Sequence, residues 1–220
     1  MVNSKDQSEK ETSVLDIPQW QDISEVTIAH YDQSAEDYWA GTRDHDVGQN
    51  YTAFLTAMKG APPLSILDLG CGPGRDLKYF CSLGHDAVGL DGSKNFVKMA
   101  QAYCGCDVLH QNFLELKLPE NRFDGVFANA SIFHVPSKKL PDVLLTLYTT
   151  MKPRGVLFCS NPRGNNEEGF SGNRYGCFMN LETWRKYVTR AGFVELQHYF
   201  RPAGLPLDKQ PWLASVWRKN

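Results

Sequence analysis

The sequence predicts an α/β fold, a doubly wound and mostly parallel seven-stranded sheet with an N-terminal helical arm. Three observations predict it. Short apolar runs alternate with amphipathic stretches from Leu64 onward. The first run ends in a glycine loop, Leu67-Asp68-Leu69-Gly70-Cys71-Gly72-Pro73-Gly74. A second run ends in an acid, Asp91, near the ~20-residue interval expected for a group that grips a ribose diol. Strands separated by helices need right-handed crossovers, which put helices on both faces of a parallel sheet.

Taken in order, residues 1–20 are polar and unpatterned, a disordered lead or linker. Residues 21–63 form the arm. Val26, Ile28, Tyr31, Ala35, Tyr38 and Trp39 recur at helical spacing between Ser24 and Ala40, giving one or two helices, and a further helix over Gln49–Lys59 stops at Gly60 and Pro62. The core, 64–220, opens on a buried strand over Leu64–Leu69. A helix over Arg75–Leu83 closes at Gly84, and a strand over Asp86–Leu90 follows. Ser93 caps a helix over Lys94–Ala102. Asp107–His110 and Phe123–Ala128 are strands, and Ser137–Met151 is a helix that tolerates Pro141 in its first turn. Val156–Ser160 is the fifth strand. Leu181–Ala191 is a helix ended by Gly192, and Val194–Phe200 with Leu213–Trp217 close the sheet. The stretch Asn161–Gly176 reads as a long polar loop, made mobile by glycines 164, 169, 172 and 176.

Composition narrows the function classes. The chain has 220 residues, 42% hydrophobic and 22% charged, with a net charge of -2. That balance disfavours a broad nucleic-acid or anionic-membrane surface. No apolar run approaches the ~20 residues that cross a bilayer, and the polar start is unlike a signal peptide. Cys71, Cys81, Cys104, Cys106, Cys159 and Cys177 form no C-x-x-C pair, so reduced thiols in a cytoplasmic protein are expected, with no metal site.

Ligands of such sheets bind beyond the carboxyl ends of the strands, where strand order reverses. Gly70, Gly72 and Gly74 sit at that edge. A dinucleotide site wants G-x-G-x-x-G, with a helix end facing pyrophosphate. The spacing here is G-x-G-x-G behind Asp68, which suits a ligand with a ribose and no phosphate, carrying an amino acid that needs polar partners.

On these residues the chain resembles the class I S-adenosylmethionine methyltransferases, Rossmann-like enzymes, from about Leu64 to its end. The resemblance implies S-adenosylmethionine as cofactor. Asp68, Gly70, Cys71 and Gly72 would line its methionine end, Asp91 the ribose hydroxyls, with Gly92 beneath the adenosine and Asn112 and Phe113 at the adenine. Where many relatives have an aspartate, Asn112 would offer its carbonyl to the adenine amine. Asn129, ending the fourth strand, would touch cofactor or acceptor.

Three further stretches are more specific. They are Tyr31-Asp32-x-Ser34-Ala35-Glu36-x-Tyr38-Trp39 with Thr42-Arg43-Asp44-His45-Asp46, then Phe127-Ala128-Asn129-Ala130 with Phe133-His134-Val135-Pro136, then Ser160-Asn161-Pro162-Arg163-Gly164-Asn165-Asn166-Glu167-Glu168. Together they resemble the methyltransferase domain of ovothiol-biosynthesis enzymes (5-histidylcysteine sulfoxide synthase / mercaptohistidine methyltransferase), from about Ile28 to Arg218. That family methylates the imidazole π nitrogen of 5-thiohistidine to give ovothiol A, usually behind an iron-dependent sulfoxide synthase. Before Leu64 the chain has only His30 and His45, too few for that iron site. It is therefore read as standing alone or as excised from a longer, fused protein. The implied roles are Tyr31, Tyr38 and Arg43 over the cofactor's carboxylate and sulfonium, and Arg163 or Arg174 on the substrate carboxylate. Asp44, Asn165 or Glu167 would meet its ammonium, and Asn161 and Asn166 would add amide partners. His45 and His134 are ring partners or proton acceptors, and Phe133 is an apolar wall.

Overall fold

The computed structural model describes residues 20–220, so the polar lead falls almost wholly outside the described residues. The arm is three helices, α1 (Trp20–Gln33), α2 (Ala35–Thr42) and α3 (Gly48–Ala57). The core then alternates as expected: β1 (Ser65–Leu69), α4 (Arg75–Ser82), β2 (Asp86–Asp91), α5 (Lys94–Cys104), β3 (Val108–His110), β4 (Phe123–Asn129), α6 (Leu140–Thr150) and β5 (Met151–Pro162). Ser93 caps α5 by accepting the Phe96 N–H at 3.1 Å. The chain closes with α7 (Leu181–Arg190), β8 (Phe193–Arg201) and β9 (Trp212–Lys219).

The seven strands run in the order β3-β2-β1-β4-β5-β9-β8, with β9 antiparallel to both neighbours and the first five parallel. Strand order reverses between β1 and β4, and the carboxyl ends there open the crevice where such sheets bind ligands. Successive residues of the central strands feed opposite layers, as the two-residue period requires. Val126, Ala128, Leu157 and Cys159 join α6 and α7 on one face. Phe127 and Phe158 join Phe54 of α3 and Phe80 of α4 on the other. Phe127 and Phe158 stack with ring centroids 4.7 Å apart, and Phe54 meets Phe127 at 5.2 Å. Each such ring contributes about 1.5–3 kcal/mol by leaving water. That burial fixes the strand ends from which the site is built.

One expectation needs correction. The stretch after β5 is not a mobile loop: β6 (Glu167–Ser171) and β7 (Arg174–Phe178) pair as an antiparallel hairpin. Neither strand alternates between buried and exposed residues, so the hairpin left no period-two signal in the sequence. Cys81 at the end of α4 and Cys106 before β3 face each other with Cα atoms 7.4 Å apart, wider than a disulfide spans, and Cys71, Cys104, Cys159 and Cys177 are free. Among the described residues no helix is long and apolar enough to cross a membrane, and no group of three or more His, Cys, Asp or Glu could hold a metal ion.

Candidate active site

A pocket lies at the reversal point, between the carboxyl ends of β1, β2 and β4 and the arm. The glycine loop forms one wall. Gly70 sits at φ 74°, and a Cβ there would stand 2.3 Å from the Ser131 Cβ, so the loop can hug the segment after β4 only with glycine at that position. The N–H groups of Gly70 and Cys71 both donate to Leu90 O, at 2.7 and 3.0 Å, so they tie β1 to β2 and are not free donors. Cys71 is buried behind the loop. Gly74 is the N-cap of α4 at φ 95°, where a Cβ would come within 2.9 Å of Ala100; its glycine serves helix packing.

Asp91 ends β2 beside this loop and lines the pocket. One carboxylate oxygen accepts the Gly72 N–H at 2.9 Å, the other the Ser93 N–H at 2.9 Å. Those bonds fix the carboxylate plane and leave lone pairs for two ligand hydroxyls. Burial pushes the Asp91 carboxyl up to about 6, against the pull of these backbone donors. Asp68 lies deeper, 1% exposed, with Oδ2 lacking any partner. Its carboxyl is held well above the usual range, first by burial and then by the neighbouring Asp76 charge.

The floor is Gly92, Asn112, Phe113 and Leu114. Asn112 Oδ1 accepts both the Leu114 N–H at 3.0 Å and the Ser24 hydroxyl at 2.8 Å. Its carbonyl is therefore occupied, and the amide N–H₂ is the group left for a ligand, the reverse of the polarity expected from sequence. Gly92 leaves room for Ile28 of α1, which a Cβ would meet at 2.8 Å.

The roof is the arm. Ser24, Thr27, Ile28 and Tyr31 of α1 and Tyr38 of α2 face the pocket. Asp32 locks α1 down by accepting from Ser93 Oγ and the Asn95 N–H, both at 2.7 Å. Thr27 Oγ1 accepts the Tyr175 N–H of β7 at 3.0 Å. The Tyr31 hydroxyl meets His134 Nε2 at 2.9 Å, and His134 Nδ1 meets the Tyr175 carbonyl at 2.5 Å. Tyr38 stands edge-on to Tyr31 at 5.5 Å and tilted to Phe96 at 5.2 Å. These three rings with His134 form an aromatic cage suited to a cation. Burial pushes the Tyr38 hydroxyl up to about 12 and the His134 imidazole down to about 4, so both are neutral near pH 7.

Several residues singled out in the sequence lie elsewhere. Arg43 pairs with Asp44 in solvent, their side chains 55% and 86% exposed, and His45 is exposed beside them. Arg163 stacks on Phe200 at 5.0 Å and donates to Leu207 O on the far side of the hairpin. Glu167 accepts from its own turn at the Asn165 N–H, and Asn166 Oδ1 accepts the Asn180 N–H. Phe133 and Asn161 line a separate small cavity beneath the turn after β4, where Asn161 Oδ1 has no partner. Asn129 is spent in a buried network, accepting from Asn50 at 3.0 Å and donating to Asp76 at 2.9 Å. Arg174, the exposed first residue of β7, lies near the Tyr31 hydroxyl but does not line the pocket.

Sequence reasoning missed Ser24, Thr27, Phe96, Ala130, Ser131 and Val135, all of which line the pocket. Ser24, Thr27 and Tyr31 follow the i, i+3, i+7 spacing of one helix face, a signal that was available in principle. Ala130 carried none: its φ of 59° is visible only in the backbone.

The arrangement fits an adenosyl amino acid. A carboxylate is set for a ribose diol, a bare loop lies beside it, amide and aromatic groups stand at one end, and a cage for positive charge at the other. Residues 66–155 match a family model described as a methyltransferase domain. The chain is 30% identical over 107 residues to the 24-methylenesterol C-methyltransferase 2 of Arabidopsis thaliana, covering 45% of this chain and 29% of that enzyme. It is 29% identical over 118 residues to a sterol 24-C-methyltransferase of Aspergillus fumigatus, covering 49% of this chain and 30% of the other. The chain thus spans under a third of the length of these curated relatives. Among solved structures, 1,6-didemethyltoxoflavin-N1-methyltransferase from Burkholderia thailandensis, bound to its toxoflavin precursor and S-adenosylhomocysteine, superposes with a TM-score of 0.74 at 20% identity, covering 93% of this chain and 92% of that one. An S-adenosylmethionine-dependent methyltransferase from Leishmania major gives 0.73 at 15% identity, covering 90% of this chain and 82% of the other. Residues 66–155 thus match a methyltransferase domain, on a fold shared with S-adenosylmethionine-dependent methyltransferases, and S-adenosylmethionine is the cofactor that the pocket fits.

Proposed function

We propose that the protein transfers a methyl group from S-adenosylmethionine to a ring nitrogen of a small amino-acid acceptor, the imidazole π nitrogen of 5-thiohistidine, giving ovothiol A. The observation that carries the small-acceptor reading is the roof. Helix α1 closes over the pocket through Ser24, Thr27, Tyr31 and Asp32, each bonded to the core, which leaves a confined volume beside the aromatic cage. Arg174 sits at that end and suits an amino-acid carboxylate. The Burkholderia neighbour, whose name gives a ring nitrogen of a small heteroaromatic as its target, supports the chemistry. The long polar stretches shared with ovothiol enzymes support the choice of acceptor.

The cofactor supplies an electrophilic methyl group on a cationic sulfur. The chain's residues bind, align and exclude water. Asp91 would hold the ribose hydroxyls, Gly70 and Gly72 would lie along the methionine end, and the rings of Tyr31, Tyr38 and Phe96 would enclose the sulfonium. The nitrogen lone pair forms the new N–C bond as the C–S bond breaks, and the methylated ring sheds one proton to solvent. A neutral imidazole is already nucleophilic, so alignment and dehydration are the main catalytic devices, able to supply up to ~7–11 kcal/mol in well-oriented systems.

The test is a panel of 5-thiohistidine, histidine, a simple thiol and a phenol with methyl-labelled cofactor, products being read by mass spectrometry. Label on the π nitrogen of 5-thiohistidine is the expected result. Turnover of another acceptor with none of 5-thiohistidine overturns the acceptor and keeps the methyltransferase. Tight cofactor binding with no turnover of any small acceptor points to a non-catalytic scaffold.

A further inference from the structure

We infer that His134 is a positioning residue for methyl transfer: it draws the Tyr31 hydroxyl proton toward itself, leaving the Tyr31 oxygen as an acceptor facing the sulfonium methyl group. The direction of every hydrogen bond in this chain of groups is determined. The Tyr175 carbonyl can only accept, so His134 Nδ1, 2.5 Å away, carries the ring proton. His134 Nε2 then has a lone pair and accepts the Tyr31 O–H at 2.9 Å. The nearby Arg174 guanidinium can only donate, so it offers no competing acceptor for that proton.

The ring is held in this state from several sides. Phe133 packs on the imidazole with centroids 3.9 Å apart. The Tyr175 backbone is fixed from its other side by Thr27 at 3.0 Å. Burial keeps His134 neutral, so Nε2 does not become a donor near neutral pH. The Tyr31 ring packs with Tyr38 at 5.5 Å and Phe96 at 5.9 Å, and all three line the pocket. A hydroxyl oxygen presented to a methyl group on cationic sulfur makes C–H···O contacts, weak toward a neutral carbon and stronger toward a positively polarised one. The arrangement should therefore favour the sulfonium cofactor over the thioether product, which lacks both methyl and charge.

Calorimetric affinities for S-adenosylmethionine and S-adenosylhomocysteine test this without any acceptor, so the outcome does not depend on whether 5-thiohistidine is the substrate. In Tyr31→Phe and in His134→Leu, affinity for S-adenosylmethionine should fall about three- to tenfold while that for S-adenosylhomocysteine is unchanged. The double variant should lose no more than either single one. His134→Gln, whose amide carbonyl can accept from Tyr31, should restore the ratio. A purely structural role predicts that both affinities fall together, and that result in Tyr31→Phe would overturn the inference, as would an unchanged ratio.

Discussion

Removing the Asp91 carboxylate should separate cofactor binding from folding more sharply than any other single change. In Asp91→Ala the ligand loses two charge-assisted hydrogen bonds to its ribose hydroxyls, at roughly 1.5–3 kcal/mol each. Summed, that is ~10²–10⁴-fold in Kd. The fold loses less. Gly72 and Ser93, both buried, are left without their acceptor, but all three residues line the pocket, where a water in the carboxylate's place can accept from both N–H groups. Titration with S-adenosylhomocysteine by calorimetry, with thermal melts alongside, measures both effects. The carboxyl also titrates within reach, since burial has raised it to about 6. The ribose hydroxyls prefer its ionised form, so cofactor affinity should plateau above about pH 6 and weaken by up to ~10-fold per unit below it. Its contribution to the stability of the ligand-free protein has the opposite sign. A carboxyl whose folded pKa is raised binds its proton more readily folded than unfolded, so that contribution declines as pH rises through 6. An Asp91→Ala variant that binds within fivefold of the native protein would refute the assignment, as would a flat affinity between pH 5 and 7.5.

Two further expectations follow from where side chains lie. Arg43 is half in solvent and paired with the more exposed Asp44, so Arg43→Ala should leave the melting temperature within ~2 °C and S-adenosylhomocysteine affinity within about twofold. A tenfold weakening would return Arg43 to the cofactor. Asp76 is the hub of a buried network, accepting from Tyr51 at 2.6 Å, Arg75 at 2.7 and 3.1 Å and Asn129 at 2.9 Å. Asp76→Ala strands a guanidinium that still reaches solvent in part, so the loss should sit below the full buried-pair value, at about 2–4 kcal/mol. Chemical denaturation should show it, and a loss under ~1 kcal/mol would mean that water replaces the carboxylate.

The parts of the fold legible in the sequence were those written in periodicity and local chemistry. Ile66, Leu67 and Leu69 are apolar because β1 is covered on both faces, Ser93 reads as a cap because its hydroxyl is one, and the glycines before α4 mark a turn that no side chain fits. The acid ending β2 was legible for the same reason: its place depends on the strand it ends. The residues misplaced were polar ones whose roles depend on which backbone groups lack partners after folding, a tertiary property. Asp46 accepts the Gly48 N–H at the start of α3, Glu168 holds Ser137 through backbone and hydroxyl, and Asn166 bonds Asn180. Each satisfies a turn or hairpin that the sequence does not display.

That distinction bears on the acceptor. Much of the resemblance to ovothiol enzymes rests on the Thr42–Asp46 and Asn161–Glu168 strings, and in the folded chain most of their polar groups are spent on architecture. Similarity there tracks the shape of the α2–α3 turn and the β6–β7 hairpin. The hairpin in turn delivers Tyr175 to Thr27 and His134, and Arg174 to Tyr31. On the proposed acceptor, the strings would act at one remove, by placing β7 under the arm, and choice between one small ring and another would fall to Thr27, Tyr31 and His134 in the pocket and to Arg174 near it. If so, substitutions within the strings that leave the hairpin folded should spare acceptor choice, whereas Arg174→Gln should raise the acceptor KM with little change in cofactor affinity.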